Sequence, residues 1–304
     1  GDCIMEYLEI ARTGRNDWWR YLLSLPGILG MWLIVGGILS LPFLLYLQFD
    51  NDPATNFSAT GFVGISDAAA LIIIMVGFLP FIIATPLAVR FIHARPVRTL
   101  VTAAPRVRWG RLLAGAAVWF VLAASASAVE ALLYPGRYVL TFQPRALLVY
   151  AVFALLLIPI QTTAEEFFFR GYLLQWMGLA LKNKWLLAFI NGVLFFLPHL
   201  PNPEMSSSSN AVLMGLNYFV FGFFAALVTL QDNGMELALG LHAANNLMVL
   251  FTNYETSALP SPSVFTVQTL DAAYGLLSTT LALAVYCLIF LGRRKQAVPA
   301  GSVE

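Results

Sequence analysis

The sequence contains few charged residues. Asp, Glu, Lys and Arg make up 11% of its 304 residues, whereas a soluble domain usually carries about 25%. The hydrophobic share is 59% and the mean hydropathy is +0.77. The formal net charge of +1 gives no reason to expect a nucleic-acid partner. We therefore predict an integral membrane protein that is surrounded by the lipid bilayer and binds no nucleic acid.

Cysteine is also scarce, since Cys3 and Cys287 are the only two. The sequence has no CxxC pair and no Cys/His spacing typical of zinc, which argues against a structural zinc site. Both thiols map to or near the predicted cytoplasmic side, where thiols stay reduced. We therefore expect no disulfide between them.

Eight apolar segments approach the roughly 20 residues that a helix needs to cross a bilayer, although the fifth and seventh are short. They predict an all-α fold, a polytopic bundle of about eight transmembrane helices. A leader at 1–25, expected to form a short amphipathic helix at the cytoplasmic face, precedes the membrane domain at 26–292, and a tail follows at 293–304. The predicted spans are 26–48, 68–91, 111–133, 146–169, 184–200, 210–230, 235–252 and 271–292.

Basic residues are distributed asymmetrically about these spans. If the N-terminus is cytoplasmic, 15 of the 17 Lys and Arg residues fall on the cytoplasmic side, and only Arg137 and Arg145 fall outside. Cytoplasmic loops carry an excess of Lys and Arg, and a wrong span count would scramble that excess. We therefore predict that both termini are cytoplasmic. The turn at 231–234 is the weak point, because it has no basic residue.

Two carboxylates and an arginine lie inside the fourth span, and charged side chains at membrane depth are rare and usually functional. Glu166 and Arg170 are four residues apart, in the favourable order for a helical ion pair. Arg170 can then neutralise Glu166. Glu165 lies about 100° further round the helix and is left without a local partner. An unpaired carboxylate is suited to act as a general base.

The same residues have a structural interpretation. A threonine at Thr162 or Thr163, followed three residues later by a glutamate, is a capping-box pattern. Pro159 can break the helix just upstream, and acidic residues favour a helix N-terminus. Helix physics alone does not decide between a cap and a functional carboxylate, and both can hold at once.

A hairpin of the fourth and fifth helices would bring Glu165 and His199 to the same depth. Glu165 lies 17 residues before Lys182, and His199 lies 17 residues after it. At about 1.5 Å per residue, both lie roughly 25 Å from the turn, provided that 171–181 is helical. A histidine at a helix end is often merely interfacial, so the matching depth is what favours a functional role.

The seventh span carries His242 and Asn246, which are four residues apart and share one helix face. Such polar residues can simply bond neighbouring helices. Their combination with the polar residues of the fourth and fifth spans favours a functional interpretation. The remaining histidine, His93, lies in the basic loop at 90–111, where we expect it to be solvated.

The sequence contains, in this order, the motifs Glu165-Glu166-x-x-x-Arg170, Phe195-x-x-x-His199 and His242-x-x-x-Asn246. Together they resemble the signature of the CAAX-protease and bacteriocin-processing family of intramembrane proteases. The resemblance covers roughly 146–252, which is therefore the predicted catalytic core. It implies an eight-helix bundle, peptide-bond hydrolysis and, for a bacterial-looking member, a place in the cell's inner membrane. Eukaryotic relatives cut the C-terminal tripeptide from prenylated CAAX proteins, a substrate not implied here.

The resemblance also implies a role for each catalytic residue. Glu165 would be the base that activates water, and His199 would help to bind and polarise that water. His242 and Asn246 would donate hydrogen bonds to the oxyanion, a contribution worth a few kcal/mol. The substrate would be a membrane-associated protein or peptide.

Supporting residues and cofactors follow from the same resemblance. Glu166 and Arg170 would orient the helix, and no cofactor is expected. Zinc is the alternative, since Glu165, His199 and His242 make a possible ligand set. The sequence has no HExxH motif, which favours hydrolysis without a metal.

Two interpretations without hydrolysis remain open. A membrane scaffold or regulator of the same fold would tolerate changes at the motif residues. A transporter is less attractive, because the ionisable residues gather in one cluster and no internal repeat is visible.

Topology mapping tests the predicted orientation. Single-cysteine labelling or reporter fusions should place the 51–60 loop outside the cytoplasm and the 93–108 segment inside it, because of the basic asymmetry. Detection of the 51–60 loop in the cytoplasm would refute the predicted topology.

Overall fold

The chain folds as a bundle of helices joined by short loops. The predicted tail at 293–304 and Cys3 lie outside the described residues, so the prediction of no Cys3–Cys287 disulfide stays untested. Cys287 forms no disulfide with any of the described residues. The computed structural model describes residues 5–50, 52, 54–58, 61–208, 210–254 and 256–292.

The structure has one helix at each of the eight predicted spans. Within the described residues, six are long and apolar enough to cross a membrane, and those at the fifth and seventh spans are shorter. The predicted all-α polytopic fold is confirmed, with eight as an approximate count of spans. The helices are α1 (Trp18–Phe49), α2 (Asp67–Ile92), α3 (Trp109–Leu133), α4 (Pro144–Met177), α5 (Lys184–His199), α6 (Ala211–Asp232), α7 (Glu236–Leu247) and α8 (Ala272–Leu291).

The leader is shorter than predicted and packs into the protein. Helix α1 begins at Trp18, because the helix continues through Pro26 rather than starting there. The described leader forms two short helical segments, Glu6–Glu9 and Ile10–Thr13. Tyr7 is completely buried, and its hydroxyl donates to backbone carbonyls of the bundle. The apolar side of the leader therefore packs on protein.

Helix α4 is the longest of the bundle and carries the motif glutamates. It continues without a break through Pro159 and contains a π-helical turn at Phe167–Leu173. The stretch that was predicted to extend the fourth helix is helical as far as Met177. A turn at 178–183 then leads into α5, which confirms the predicted hairpin.

One face of the bundle gathers the basic loops. Lys182 Nζ lies 2.5 Å from Glu9 Oε1, which joins the turn after α4 to the leader. The Arg15 backbone N–H donates to the His93 carbonyl over 2.8 Å. We call this surface the basic face and define it by four segments, 5–17, 93–108, 178–183 and 232–235.

The α6–α7 turn lies at the basic face although it has no Lys or Arg of its own. Arg108 Nη2 lies 2.9 Å from Asp232 Oδ2 and 2.5 Å from Glu236 Oε2. Arg111 Nη2 lies 2.6 Å from Asp232 Oδ1. The start of α3 therefore supplies the positive charge that the sequence of this turn lacks.

The opposite surface, the far face, is held together by short strands. In a three-stranded sheet, strand Phe265–Val267 lies between Tyr138–Leu140, with which it is antiparallel, and Thr252–Tyr254, with which it is parallel. The register places both Val139 and Asn253 opposite Thr266. We define the far face by the described segments 54–58, 61–66, 134–143, 200–208 and 256–271 with strand Thr252–Tyr254. The strands are β1 (Asn56–Ser58) paired antiparallel with β2 (Gly61–Val63), β3 (Tyr138–Leu140), β4 (Thr252–Tyr254) and β5 (Phe265–Val267).

The prediction that His93 is solvated is wrong, because its side chain is buried at the basic face. Its Nδ1 donates to the Arg15 carbonyl over 2.9 Å. Its Nε2 lies 3.0 Å from the Tyr172 hydroxyl. The leader covers the loop that carries His93, and no local sequence pattern predicts that contact.

Helix α7 lies against α3 at a contact that only glycine permits. Gly240 faces the α3 backbone so closely that a Cβ atom there would collide with the Leu112 carbonyl oxygen. The same atom would lie 2.8 Å from the Ala116 nitrogen. A Cβ atom at Gly115 of α3 would likewise lie only 3.1 Å from the Leu237 carbonyl oxygen of α7. The two glycines set the position of the helix that carries His242.

Substitution of Gly240 should destabilise the bundle. Gly240→Ala forces α7 away from α3, and overpacking of this kind costs about 1–3 kcal/mol. Gly37→Ala is the matched control, because a Cβ at Gly37 meets nothing within 4 Å and alanine is favoured in a helix interior. Thermal unfolding of the purified protein in detergent should show a lower midpoint for Gly240→Ala only. An unchanged midpoint for that variant would refute the close contact.

Candidate active site

A buried ion pair lies beneath the site. Arg170 and Glu166 are both fully buried, and Arg170 Nη1 lies 2.9 Å from Glu166 Oε1. The guanidinium also lies over the Phe195 ring, 4.3 Å from its centroid. The helical pair that the four-residue spacing predicted is therefore present. Removing both charges from water is costly, and their mutual attraction offsets part of that cost.

His242 joins this pair from α7. Its Nδ1 donates to Glu166 Oε1 over 2.8 Å, so one carboxylate oxygen receives both Arg170 and His242. Its Nε2 lies 3.5 Å from Glu165 Oε2. The imidazole thus stands between the two glutamates. Because Nδ1–H is already donated, Nε2 can donate a hydrogen bond only when the ring is doubly protonated.

Glu165 is buried but has partners, so the prediction that it has no local partner is wrong. Gln161, one helical turn earlier, donates its side-chain N–H to Glu165 Oε1 over 2.5 Å. Among the described residues, Oε2 makes no hydrogen bond. One carboxylate oxygen is therefore held in place, and the other remains available to a small molecule.

A chain of amides leads from α3 through α7 to Glu165. The Trp119 indole N–H donates to Asn245 over 3.2 Å, and Asn245 donates to Asn246 over 3.2 Å. Asn246 in turn donates to Gln161 Oε1 over 3.1 Å. Each amide therefore orients the next until Gln161 reaches the carboxylate. Sequence reasoning missed Gln161, although its spacing of four from Glu165 was the available signal.

His199 ends α5 in a 3-10 turn that follows Phe196. Its Nδ1 donates to the Phe195 carbonyl over 2.7 Å, which leaves Nε2 as the unprotonated nitrogen of a neutral ring. The ring lies between the aromatic rings of Phe195 and Tyr218, with centroids 4.6 Å and 4.5 Å away. These contacts fix the orientation of the imidazole.

One cavity of about 780 Å³ brings the four predicted catalytic residues together. Glu165, His199, His242 and Asn246 all line it. Glu165 and His199 therefore do not lie on opposite faces of the bundle. The supporting pair Glu166 and Arg170 lies behind this lining, where it contacts His242 and Phe195. Their catalytic roles remain predictions.

The far end of the cavity is polar. Glu204 lies there, and its Oε1 accepts the Ala258 backbone N–H over 2.8 Å. Burial raises the pKa of the Glu204 carboxyl above its ordinary value. Asn202, which also lines the cavity, donates to the Tyr218 hydroxyl over 3.0 Å. Sequence reasoning did not single out Glu204, because a lone glutamate in a loop carries no pattern.

The capping-box interpretation of the fourth span is wrong. Helix α4 has no new N-terminus near Thr162, because it runs unbroken from Pro144 to Glu166. Both glutamates therefore lie in a helix interior. The π-helical turn that begins directly after them at Phe167 widens the helix, and such turns are frequent at functional sites.

The zinc alternative finds partial support in the geometry. Both His199 and His242 donate their Nδ1–H, and zinc-binding histidines usually make such outer hydrogen bonds. However, no three His, Cys, Asp or Glu side chains in the described part of the chain are grouped to hold a metal ion. Glu165, His199 and His242 therefore do not form a ready ligand set, and we derive no step through a metal.

Comparison with known proteins now places the chain in a family. Residues 144–248 match the family described as type II CAAX prenyl endopeptidase Rce1-like. The uncharacterized protein YyaK of Bacillus subtilis is 35% identical over 260 residues, which cover 84% of this chain and 85% of that protein. The chain belongs to the Rce1-like family. No solved structure matches it.

The Rce1-like match coincides with the part of the fold that builds the site. It spans α4 to α7 and corresponds closely to the predicted core at 146–252. The predicted resemblance to CAAX proteases is thereby confirmed. Family membership implies a CAAX-type membrane peptidase, and the Bacillus relative and the apolar helices together indicate a multi-pass bacterial membrane protein.

Loss of Glu166 should destabilise this Rce1-like protein more than loss of Glu165. Glu166→Gln leaves the fully buried Arg170 without its counter-charge, and breaking a buried pair costs about 3–5 kcal/mol. Glu165 supports no arginine in this way. Chemical or thermal unfolding in detergent should rank the two variants accordingly. Adding Arg170→Gln to Glu166→Gln should restore part of the loss, and equal stability of the two single variants would contradict the ranking.

Proposed function

We propose that this protein is an intramembrane endopeptidase that hydrolyses peptide bonds of membrane-associated substrates with a water molecule activated by Glu165. The observation that carries the proposal is the free Oε2 atom of Glu165 in a cavity shared with two histidines and an asparagine. An oxygen without a hydrogen bond can accept a proton from water. The fixed Oε1 keeps the carboxylate pointing into the cavity.

His199 has the features of a residue that positions this water. Its Nδ1–H is held by the Phe195 carbonyl, so Nε2 presents a lone pair that can accept a hydrogen bond from water. The two flanking aromatic rings limit rotation of the imidazole. A water between Glu165 and His199 would be oriented by both, and that preorganisation lowers the cost of reaching the transition state.

His242 and Asn246 are the proposed donors to the oxyanion of the tetrahedral intermediate. Asn246 donates to Gln161 in the structure, so its amide would have to exchange this partner for the substrate oxygen. His242 would donate from Nε2 as an imidazolium, whose charge the nearby Glu166 carboxylate stabilises. Loss of one oxyanion donor typically lowers kcat by about 10²–10³-fold.

The Glu166–Arg170 pair is proposed to position rather than to react. Both groups are completely buried, and they hold His242 and the Phe195 ring rather than the cavity itself. The proposed setting is the inner membrane of a bacterial cell with both termini cytoplasmic, which the basic face supports.

Glu165→Gln should abolish proteolysis without unfolding the protein. The variant keeps the hydrogen-bonding shape but removes the base, and a general base contributes typically 10²–10⁴-fold. The assay is cleavage of a mixture of quenched fluorescent peptides by the protein in lipid nanodiscs, read by mass spectrometry. Glu6→Gln, an exposed change at the basic face, is the matched control and should keep full activity. Wild-type turnover by Glu165→Gln would refute the assignment.

The same preparation separates the alternatives. Metal analysis of the active protein should find less than one metal ion per chain, and a chelator should leave cleavage intact. Stoichiometric zinc with chelator-sensitive cleavage would support the metalloprotease. A scaffold or regulator would cleave nothing and would retain its cellular effect after Glu165→Gln.

A further inference from the structure

The catalytic cavity is connected to the far face of the bundle. Beyond the catalytic residues its lining continues through Asn202 and Glu204 to Asn253 and Ser257, all at the far face. None of the described residues that line it belongs to the four segments of the basic face. A substrate that reaches Glu165 through this cavity therefore comes from the far-face side.

The basic face is closed beneath the site. The leader fills it, and Tyr7 donates its hydroxyl to the Leu100 and Arg170 carbonyls. Gln175, also fully buried, donates to the Thr99 carbonyl over 2.7 Å. A route from this face would require the leader to leave its place.

Apart from His199 and His242, the ionisable side chains that distinguish the described cavity lining are carboxylates. The lining includes the carboxylates of Glu165, Glu204 and Asp271 and no Lys or Arg among the described residues. Asp271 has a counter-ion, since Arg137 lies 3.3 Å away. Glu204 has no ion pair with any described residue, and its Oε2 makes no hydrogen bond there.

Glu165 adds a second, deeper carboxylate oxygen that faces the cavity without a hydrogen bond, on a side chain that is 5% exposed. The two unsatisfied oxygens lie in a water-poor site, where electrostatic attraction is stronger than in bulk water. Clefts lined by charges of one sign concentrate ligands of the opposite sign.

We propose that the cavity binds a basic segment of a peptide chain presented at the far face, with Glu204 as the residue that selects positive charge. This inference rests on the proposed peptidase function. A free C-terminal carboxylate would meet the unpaired Glu204 carboxylate at the far end of the cavity, and the described lining offers it no Lys or Arg there. The scissile bond therefore lies within a chain that carries Lys or Arg at the Glu204 end of the cavity, on the side that the proposed orientation places outside the cytoplasm.

Peptide binding tests the charge preference without requiring cleavage. The probes are three fluorescent peptides with one apolar core flanked by Lys, Ala or Glu, and the protein is Glu165→Gln in nanodiscs at pH 8. The Lys peptide should bind about fivefold more tightly than the Ala peptide per added charge, a value at the upper end for exposed ion pairs. The Glu peptide should bind most weakly.

Glu204→Gln, added to this background, should remove most of the Lys preference, because glutamine keeps an acceptor for Ala258 but loses the charge. Glu6→Gln is the matched control at the basic face and should leave the preference unchanged. Equal binding of the three peptides, or a preference that survives Glu204→Gln, would overturn the inference.

Selective blocking tests the direction of access. In a Cys3→Ala, Cys287→Ala background, a maleimide carrying a polymer chain is attached at Ser257→Cys or, as control, at the exposed basic-face position Arg106→Cys. Only the Ser257 adduct should block peptide binding. Block by the Arg106 adduct alone would overturn far-face access.

The two proposals fail in different ways. Lys-selective binding without cleavage by the wild-type protein would remove the peptidase function and leave the inferred specificity standing. Cleavage by the wild-type protein without a charge preference would remove the inferred specificity and leave the peptidase function standing.

Discussion

The buried pair of Glu166 and Arg170 is the interaction on which the rest of the site depends. A fully buried guanidinium is tolerated only with a counter-charge and further contacts. Glu166 supplies the charge, and the Phe195 ring lies 4.3 Å from the guanidinium carbon. His242 donates to the same carboxylate oxygen, and the Tyr7 hydroxyl donates to the Arg170 carbonyl. The leader and helices α4, α5 and α7 therefore meet at one point.

The positions of the side chains that face the cavity follow from this buried ion pair. With Glu166 committed to its arginine, the next residue, Glu165, faces the cavity with one oxygen fixed by Gln161 and one free. The chain of amides from Trp119 to Asn246 sets Gln161 in turn. A membrane interior offers few partners for polar groups, and these side chains supply partners to one another.

Much of this could be predicted from local pattern. Long apolar runs give the order of helices, and a spacing of four gives the Glu166–Arg170 pair. Counting residues along a hairpin places the carboxylate and the α5 histidine at one depth. Two of the failed predictions depend on contacts between distant parts of the chain, and the others are local. The burial of His93 and the protein-facing leader require packing between segments far apart in sequence, and the start of α1 at Trp18 requires a helix that continues through Pro26. Gln161 carries no charge, so the ion-pair spacing that reveals Arg170 as a partner of Glu166 does not reveal Gln161 as the partner of Glu165.

Hydrolysis in ¹⁸O-labelled water tests the central claim most directly, because it follows the oxygen that Glu165 is proposed to activate. Peptide products of the wild-type protein in nanodiscs, collected at early times after metal removal, should carry one ¹⁸O atom in the newly formed carboxylate. The Glu165→Gln protein should give no labelled product above background, while its thermal midpoint stays close to that of wild type. Labelled product formed equally fast by Glu165→Gln, or formed only after zinc is restored, would contradict the account.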